Sequence, residues 1–137
     1  MTELAYTRET PDDLERAEAR LEAELKLRGF GILSVIPIHR ILKEKLGLDR
    51  PPLVILEVCS PKQASEALER SVEASLLLPC KIVLTREGDR TRLMVQRPVS
   101  MIQAMLPGRS LETVARESER DLMAAVDAAA TGVPPPA

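Results

Sequence analysis

The chain has 137 residues, 45% of them hydrophobic and 29% charged, so one globular domain is expected, and composition argues against wholesale disorder, a collagen-like repeat or a membrane bundle. Nineteen Lys and Arg against twenty-one Asp and Glu leave a net charge of −2, which removes the attraction that nucleic acid or an anionic membrane would reward; neither is an expected partner. Tyr6 and Phe30 are the only aromatic residues, so base-stacking platforms and aromatic cages cannot be built.

The start, MTELAYTRETPDD, is acidic where a signal peptide needs a basic end and an apolar run. The two cysteines are too few for a secreted disulfide scaffold, and a cytoplasmic protein with reduced thiols is expected. Leu4 to Arg8 alternates weakly and suggests an edge strand. Thr10-Pro11-Asp12-Asp13 then offers a hydroxyl cap, a proline for the first helical position and two carboxylates for the positive end of the dipole. Leu14, Ala17, Leu21 and Leu25 make one apolar stripe, with Glu22/Lys26 and Glu24/Arg28 as exposed pairs, and Gly29 ends the helix.

Phe30 to Ile38 reads as a strand that Pro37 places at an edge or an end. Ile38, Ile41, Leu42 and Leu46 fit one face of a short helix stopping at Gly47. Leu53 to Cys59 is apolar except for Glu57, which predicts a central strand covered on both faces. Ser60-Pro61-Lys62-Gln63 has the form of a capping box before a helix carrying Ala64, Ala67 and Leu68. Lys81 to Arg86 and Thr91 to Arg97 flank a four-residue loop as a β-hairpin. Met101, Ile102, Met105 and Leu106 form a short helix that lines either the core, a subunit interface or an apolar pocket. Ser110 is placed to cap a last helix with the stripe Leu111, Val114, Ala115, Leu122, Val126 and Ala129. The order strand, helix, strand, helix, strand, helix, hairpin, helix predicts a two-layer α+β domain over residues 1–130, its sheet mostly antiparallel, with a disordered proline-rich tail over 131–137.

Chemistry concentrates at Glu57, Cys59 and Cys80. Cys59 ends one strand and precedes a capped helix, whose dipole is expected to lower the thiol pKa; Cys80 begins the next strand. Antiparallel pairing would bring both sulfurs to one edge of the sheet, as a redox pair, a soft-metal half-site or a persulfide carrier. The plainer reading is two small buried hydrophobes. Glu57 lies two residues before Cys59, hence on the same face, and a carboxylate in an apolar run needs a partner or serves as a proton carrier near the thiol. With the single His39, the two thiols fall one short of a four-ligand metal site within one chain. Fourteen arginines stand against five lysines, and Arg86, Arg92 and Arg97 near the hairpin suggest a small-anion site or else a solvated, ion-paired face. No convincing Ser/His/Asp or Cys/His set is present, and Gly29-Phe30-Gly31 follows a helix instead of opening one, so it is not a phosphate loop.

Four blocks in order, Gly29-Phe30-Gly31, Leu42-Lys43-Glu44-Lys45-Leu46-Gly47, Cys59-Ser60-Pro61 and Leu76-Leu77-Leu78-Pro79-Cys80, resemble the bacterial and archaeal family called domain of unknown function 302. The resemblance implies a curved antiparallel sheet backed by helices, like half of the TATA-binding protein, and a homodimer; it implies no established activity. The family pattern has Gly-Asn-Pro in place of Cys59-Ser60-Pro61 and an aliphatic residue in place of Cys80, so the resemblance makes the thiols a subgroup feature. The resulting expectation is a cytoplasmic, homodimeric, non-enzymatic module for a small ligand or an interaction, with no cofactor. The alternative is a thiol protein that uses Cys59 and Cys80 for a soft metal, a persulfide or redox exchange.

Overall fold

In the computed structural model, which describes residues 1–131, the chain alternates strands and helices: β1 (Ala5–Thr10), α1 (Leu14–Leu27), β2 (Gly31–Pro37), α2 (Ile38–Leu46), β3 (Leu53–Cys59), α3 (Pro61–Arg70), a 3-10 turn (Val72–Leu77), β4 (Cys80–Glu87), β5 (Arg90–Gln96), α4 (Pro98–Met105) and α5 (Glu112–Ala130). The strands form one five-stranded sheet in the order β1-β5-β4-β3-β2, antiparallel at every step. The α+β class and the mostly antiparallel sheet expected from the sequence are present. The end of the proline-rich tail, residues 132–137, lies outside the described residues.

Strand alternation builds the core. Leu56, Ile82, Val95 and Tyr6 stand opposite one another across four strands, on the face that meets α1 and α5. Leu21 and Leu25 of α1 and Leu122 and Val126 of α5 close over that row with no exposed surface. Burying each such leucine stabilises the fold by about 2–3 kcal/mol, and truncating one to alanine would cost about 2–5 kcal/mol because a cavity remains. A second, smaller cluster of Ala67, Ala74, Leu106, Leu111 and Val114 joins α3, the 3-10 turn, α4 and the start of α5 beyond one end of the sheet.

Several local expectations are corrected. Thr10 does not cap α1: it is spent as the last residue of β1, opposite Thr91, and the cap is Asp13, whose carboxylate accepts from the Arg16 N–H. Glu24 is buried, not exposed, because the i,i+4 guanidinium of Arg28 reaches it at 2.9 Å. β3 is covered on one face only. Val54, Leu56 and Val58 are buried, whereas Leu53, Ile55 and Glu57 are half-buried on the other face, which α1 and α5 do not reach. The apolar face of α2 is likewise unburied, and Leu46 is 66% exposed. The hairpin turn has two residues, not four: β4 and β5 run up to Gly88-Asp89, where Gly88 takes a φ of 62°. Ser110 stands outside α5 with φ 58°, and Leu111 occupies the cap position.

Candidate functional site

At the end of the sheet where β3 and β5 finish and β4 begins, a cavity of about 60 Å³ opens between the strands and the helices of the second cluster. Its wall is made largely of small and aliphatic side chains: Val58 from β3, Ala64 and Ala67 from α3, Leu77 from the 3-10 turn, Met101 and Ile102 from α4, and Val114 and Ala115 from α5. Alanines on α3 and α5 leave the space because they supply helix propensity without side-chain bulk. The α4 cluster that the sequence offers to core, interface or pocket therefore contributes Met101 and Ile102 to a pocket wall, while Met105 is 60% exposed.

Cys59 and Cys80 both line this cavity. The register explains why: Val58 is opposite Cys80 and Cys59 is opposite Gly31, so the antiparallel turnaround from β3 to β4 returns the second thiol to the end where the first lies. Cys80 also packs against the main core. Burial pushes its pKa up to about 11, with the neighbouring Cys59 adding to the rise and Lys81 opposing it. Burial raises the Cys59 pKa too. The Cys59 pKa is thus raised, where a lowering is expected at the start of α3, and the cause is desolvation of the thiolate.

The polar part of the site is small. Ser60 caps α3 by accepting from the Gln63 N–H at 3.4 Å, but the Gln63 side chain does not complete a capping box. It turns instead to α5, donating through Nε2 to Asp121 at 2.9 Å and accepting at Oε1 from the Ser118 hydroxyl at 2.6 Å. Gln96, at the end of β5, also lines the cavity, and its Oε1 is buried with no hydrogen-bond partner among the described residues. Glu57 is not in the wall. It accepts from the Ser34 hydroxyl at 3.1 Å and pairs with Lys81 at 3.8 Å, so its partners come from the neighbouring strands β2 and β4.

The three arginines of the suggested anion site go to different partners. Arg86 donates to the Asp12 carbonyl at 2.9 Å and to the Thr91 hydroxyl at 3.1 Å, fastening the turn after β1 to the hairpin. Arg92 pairs with Glu87 at 3.2 Å, and Arg97 binds the Thr2 carbonyl and Glu119. His39 Nδ1 accepts from the Leu53 N–H at 3.1 Å and holds the start of α2 against the start of β3. Among the described residues no three His, Cys, Asp or Glu side chains gather as a metal site. No helix among them is long and apolar enough to cross a membrane. A second hollow, of about 240 Å³, is open and lined by His39, Arg40, Lys43, Glu44, Leu48, Asp49 and Arg50; its Lys43 and Asp49 already pair at 3.0 Å.

Sequence reasoning named the two thiols but not Gln63, Gln96 or Ser118 as site residues. Gln63 carried a signal only as a helix cap, and a lone glutamine at a strand end carries none. No curated protein matches the chain. The crystal structure of an uncharacterized conserved DUF302 protein from Bacillus stearothermophilus is similar, with 34% sequence identity and a TM-score of 0.84 over 90% of this chain and 95% of that one. The model of the family described as domain of unknown function DUF302 matches residues 6–129, nearly the whole span of strands and helices above, and the chain belongs to that family.

Proposed function

We propose that the protein is a non-enzymatic binding module whose ligand is a small, largely apolar molecule held in the cavity beside Cys59 and Cys80, and that it works as a cytoplasmic homodimer. The observation that carries this reading is the wall itself: aliphatic side chains and helix alanines surround a space at the end of the sheet that a well-packed core would fill. The thiols suit such a site as neutral, polarizable groups, since burial holds both in the protonated form at neutral pH. The same shift weighs against the thiol alternative, in which nucleophilic or exchange chemistry needs a thiolate. A soft metal would also need ligands beyond the two thiols, which a partner subunit would have to supply.

Native mass spectrometry of tag-free protein, purified without oxygen, tests the reading. The expected spectrum is a dimer that carries a small organic mass and two unmodified thiols per chain. Stoichiometric zinc, copper or added sulfur that disappears in Cys59→Ser would overturn it in favour of the thiol alternative. A monomer would remove the homodimer from the account.

A further inference from the structure

The face of the sheet turned away from α1 and α5 has its own order. Strand alternation sends Ile36, Ile55, Val83 and Met94 to that side, where the pairing register lines them up as one apolar row across β2, β3, β4 and β5. All four are half-buried, and none belongs to either core cluster. The charged side chains on this face are matched with one another: Glu57 pairs with Lys81 at 3.8 Å on one side of the row, and Arg90 with Glu9 at 3.1 Å and Arg92 with Glu87 at 3.2 Å on the other. The face is therefore apolar across its middle and neutral in sum.

We infer that a second copy of the chain covers this face, sheet against sheet, and that Val83 meets its own copy at the two-fold axis. This rests on the homodimer in the reading above and gives it an interface. Area, charge and the sheet edges select this occupant. Five strands about 4.8 Å apart and three rows of side chains about 6.7 Å apart outline about 480 Å² per copy, so two copies together reach the roughly 1,000 Å² that a specific interface needs. A neutral face with paired charges gives no attraction to nucleic acid or to a strongly charged protein, whereas an identical face meets it without net repulsion. Both edges of the sheet are guarded against strand addition: β1 by the exposed Arg8 and Glu9, and β2 by the irregularity between Ile32 and Ser34 and by Pro37, which has no N–H. Val83 lies in the middle row of the middle strand, so a two-fold axis that centres one face on the other passes through it.

Sedimentation equilibrium of Val83→Glu and Val83→Lys tests the contact. Each variant alone sets two like charges against each other at the axis and should weaken dimerisation by about a hundredfold or more, while an equimolar mixture should form a heterodimer in which the charges are opposite. Association of the mixture also shows that both variants fold. A second measurement needs no variant: isotope-filtered NOEs between ¹³C-methyl-labelled and unlabelled copies of the unmodified protein should arise from Val83 and Ile55. Variants that stay dimeric, folded variants that fail to associate when mixed, or intermolecular NOEs confined to other exposed apolar side chains such as Leu33 and Leu46 would overturn this interface and leave the homodimer standing. Unmodified protein that sediments as a monomer would overturn the homodimer itself.

Discussion

The two ends of the sheet are built on opposite principles. At the hairpin end, chain segments far apart in sequence are fastened by polar groups: Thr91, fully buried, donates to the Asp12 carbonyl at 2.7 Å, and Arg86 reaches the same carbonyl and the Thr91 hydroxyl. At the thiol end, the elements meet through alanines, thiols and aliphatic side chains and leave a space between them. Local propensity and packing are satisfied through most of the molecule, and the place that departs from close packing is where a ligand is best sought.

The contrast predicts unequal responses to mutation. The largest belongs to the hairpin end. Thr91→Val keeps the shape but leaves the Asp12 carbonyl and the Arg86 guanidinium each short of a partner, so it should destabilise the protein by about 2–3 kcal/mol in urea or guanidinium unfolding. A loss under about 0.5 kcal/mol would mean that the polar fastening is ornamental.

Next comes alkaline pH, which acts on the thiol end. The folded-state pKa of Cys80 lies above the ordinary thiol value of 9.0, at about 11, so the folded protein holds a proton there that the unfolded chain has released. The contribution is fully present below pH 9 and is lost as pH rises toward and through 11, reaching about 2 kcal/mol of destabilisation at the upper end. Tyr6, also raised by burial and by its hydrogen bond to Asp127, adds a slope of the same sign. Subtracting the curve of Cys80→Ala isolates the thiol, and a variant with an unchanged slope would refute its part. The same protonation makes Cys80 slow to alkylate: iodoacetamide at neutral pH should label it about a hundredfold more slowly in the folded than in the unfolded protein.

The smallest stability change should accompany filling of the cavity. Ala64→Leu adds apolar atoms where the wall has room, so stability should move by no more than about 1 kcal/mol, while ligand binding is lost. A loss of several kcal/mol would show that the wall is already closely packed.

Much of this organisation was legible from residues whose signals are local. The stripe Leu14, Ala17, Leu21, Leu25 carries its own periodicity, the strand Leu53 to Cys59 is an unmistakable apolar run, and both elements lie where those signals put them. Errors arose where one residue had two uses. Thr10 is as good a helix cap as it is a strand end, and pairing with β5 decided for the strand. Glu24 has the sequence of a surface ion pair and the burial of a core residue. The run from Leu53 to Cys59 is apolar on both faces, so its period could not reveal that only one face meets α1 and α5. For the candidate site, the meeting of Cys59 and Cys80 at one end of the sheet followed from antiparallel order alone. The clustering of Arg86, Arg92 and Arg97 in sequence did not become a cluster in space, because alternation and the length of β5 send them to separate partners. Gln96 was invisible for the converse reason: its place in the wall depends on what surrounds it, and those neighbours come from α3, α4 and α5.

The most direct test of the central claim, that the thiol end is a binding cavity and the hairpin end is not, is xenon-pressure NMR of the intact protein. Xenon is apolar and small, and it enters apolar cavities without needing a hydrogen bond. The account predicts saturable shifts at Val58, Ala64, Ala67 and Ala115, with Thr91 and Leu84 unmoved. Shifts that do not saturate, or that spread equally to Thr91 and Leu84, would contradict it.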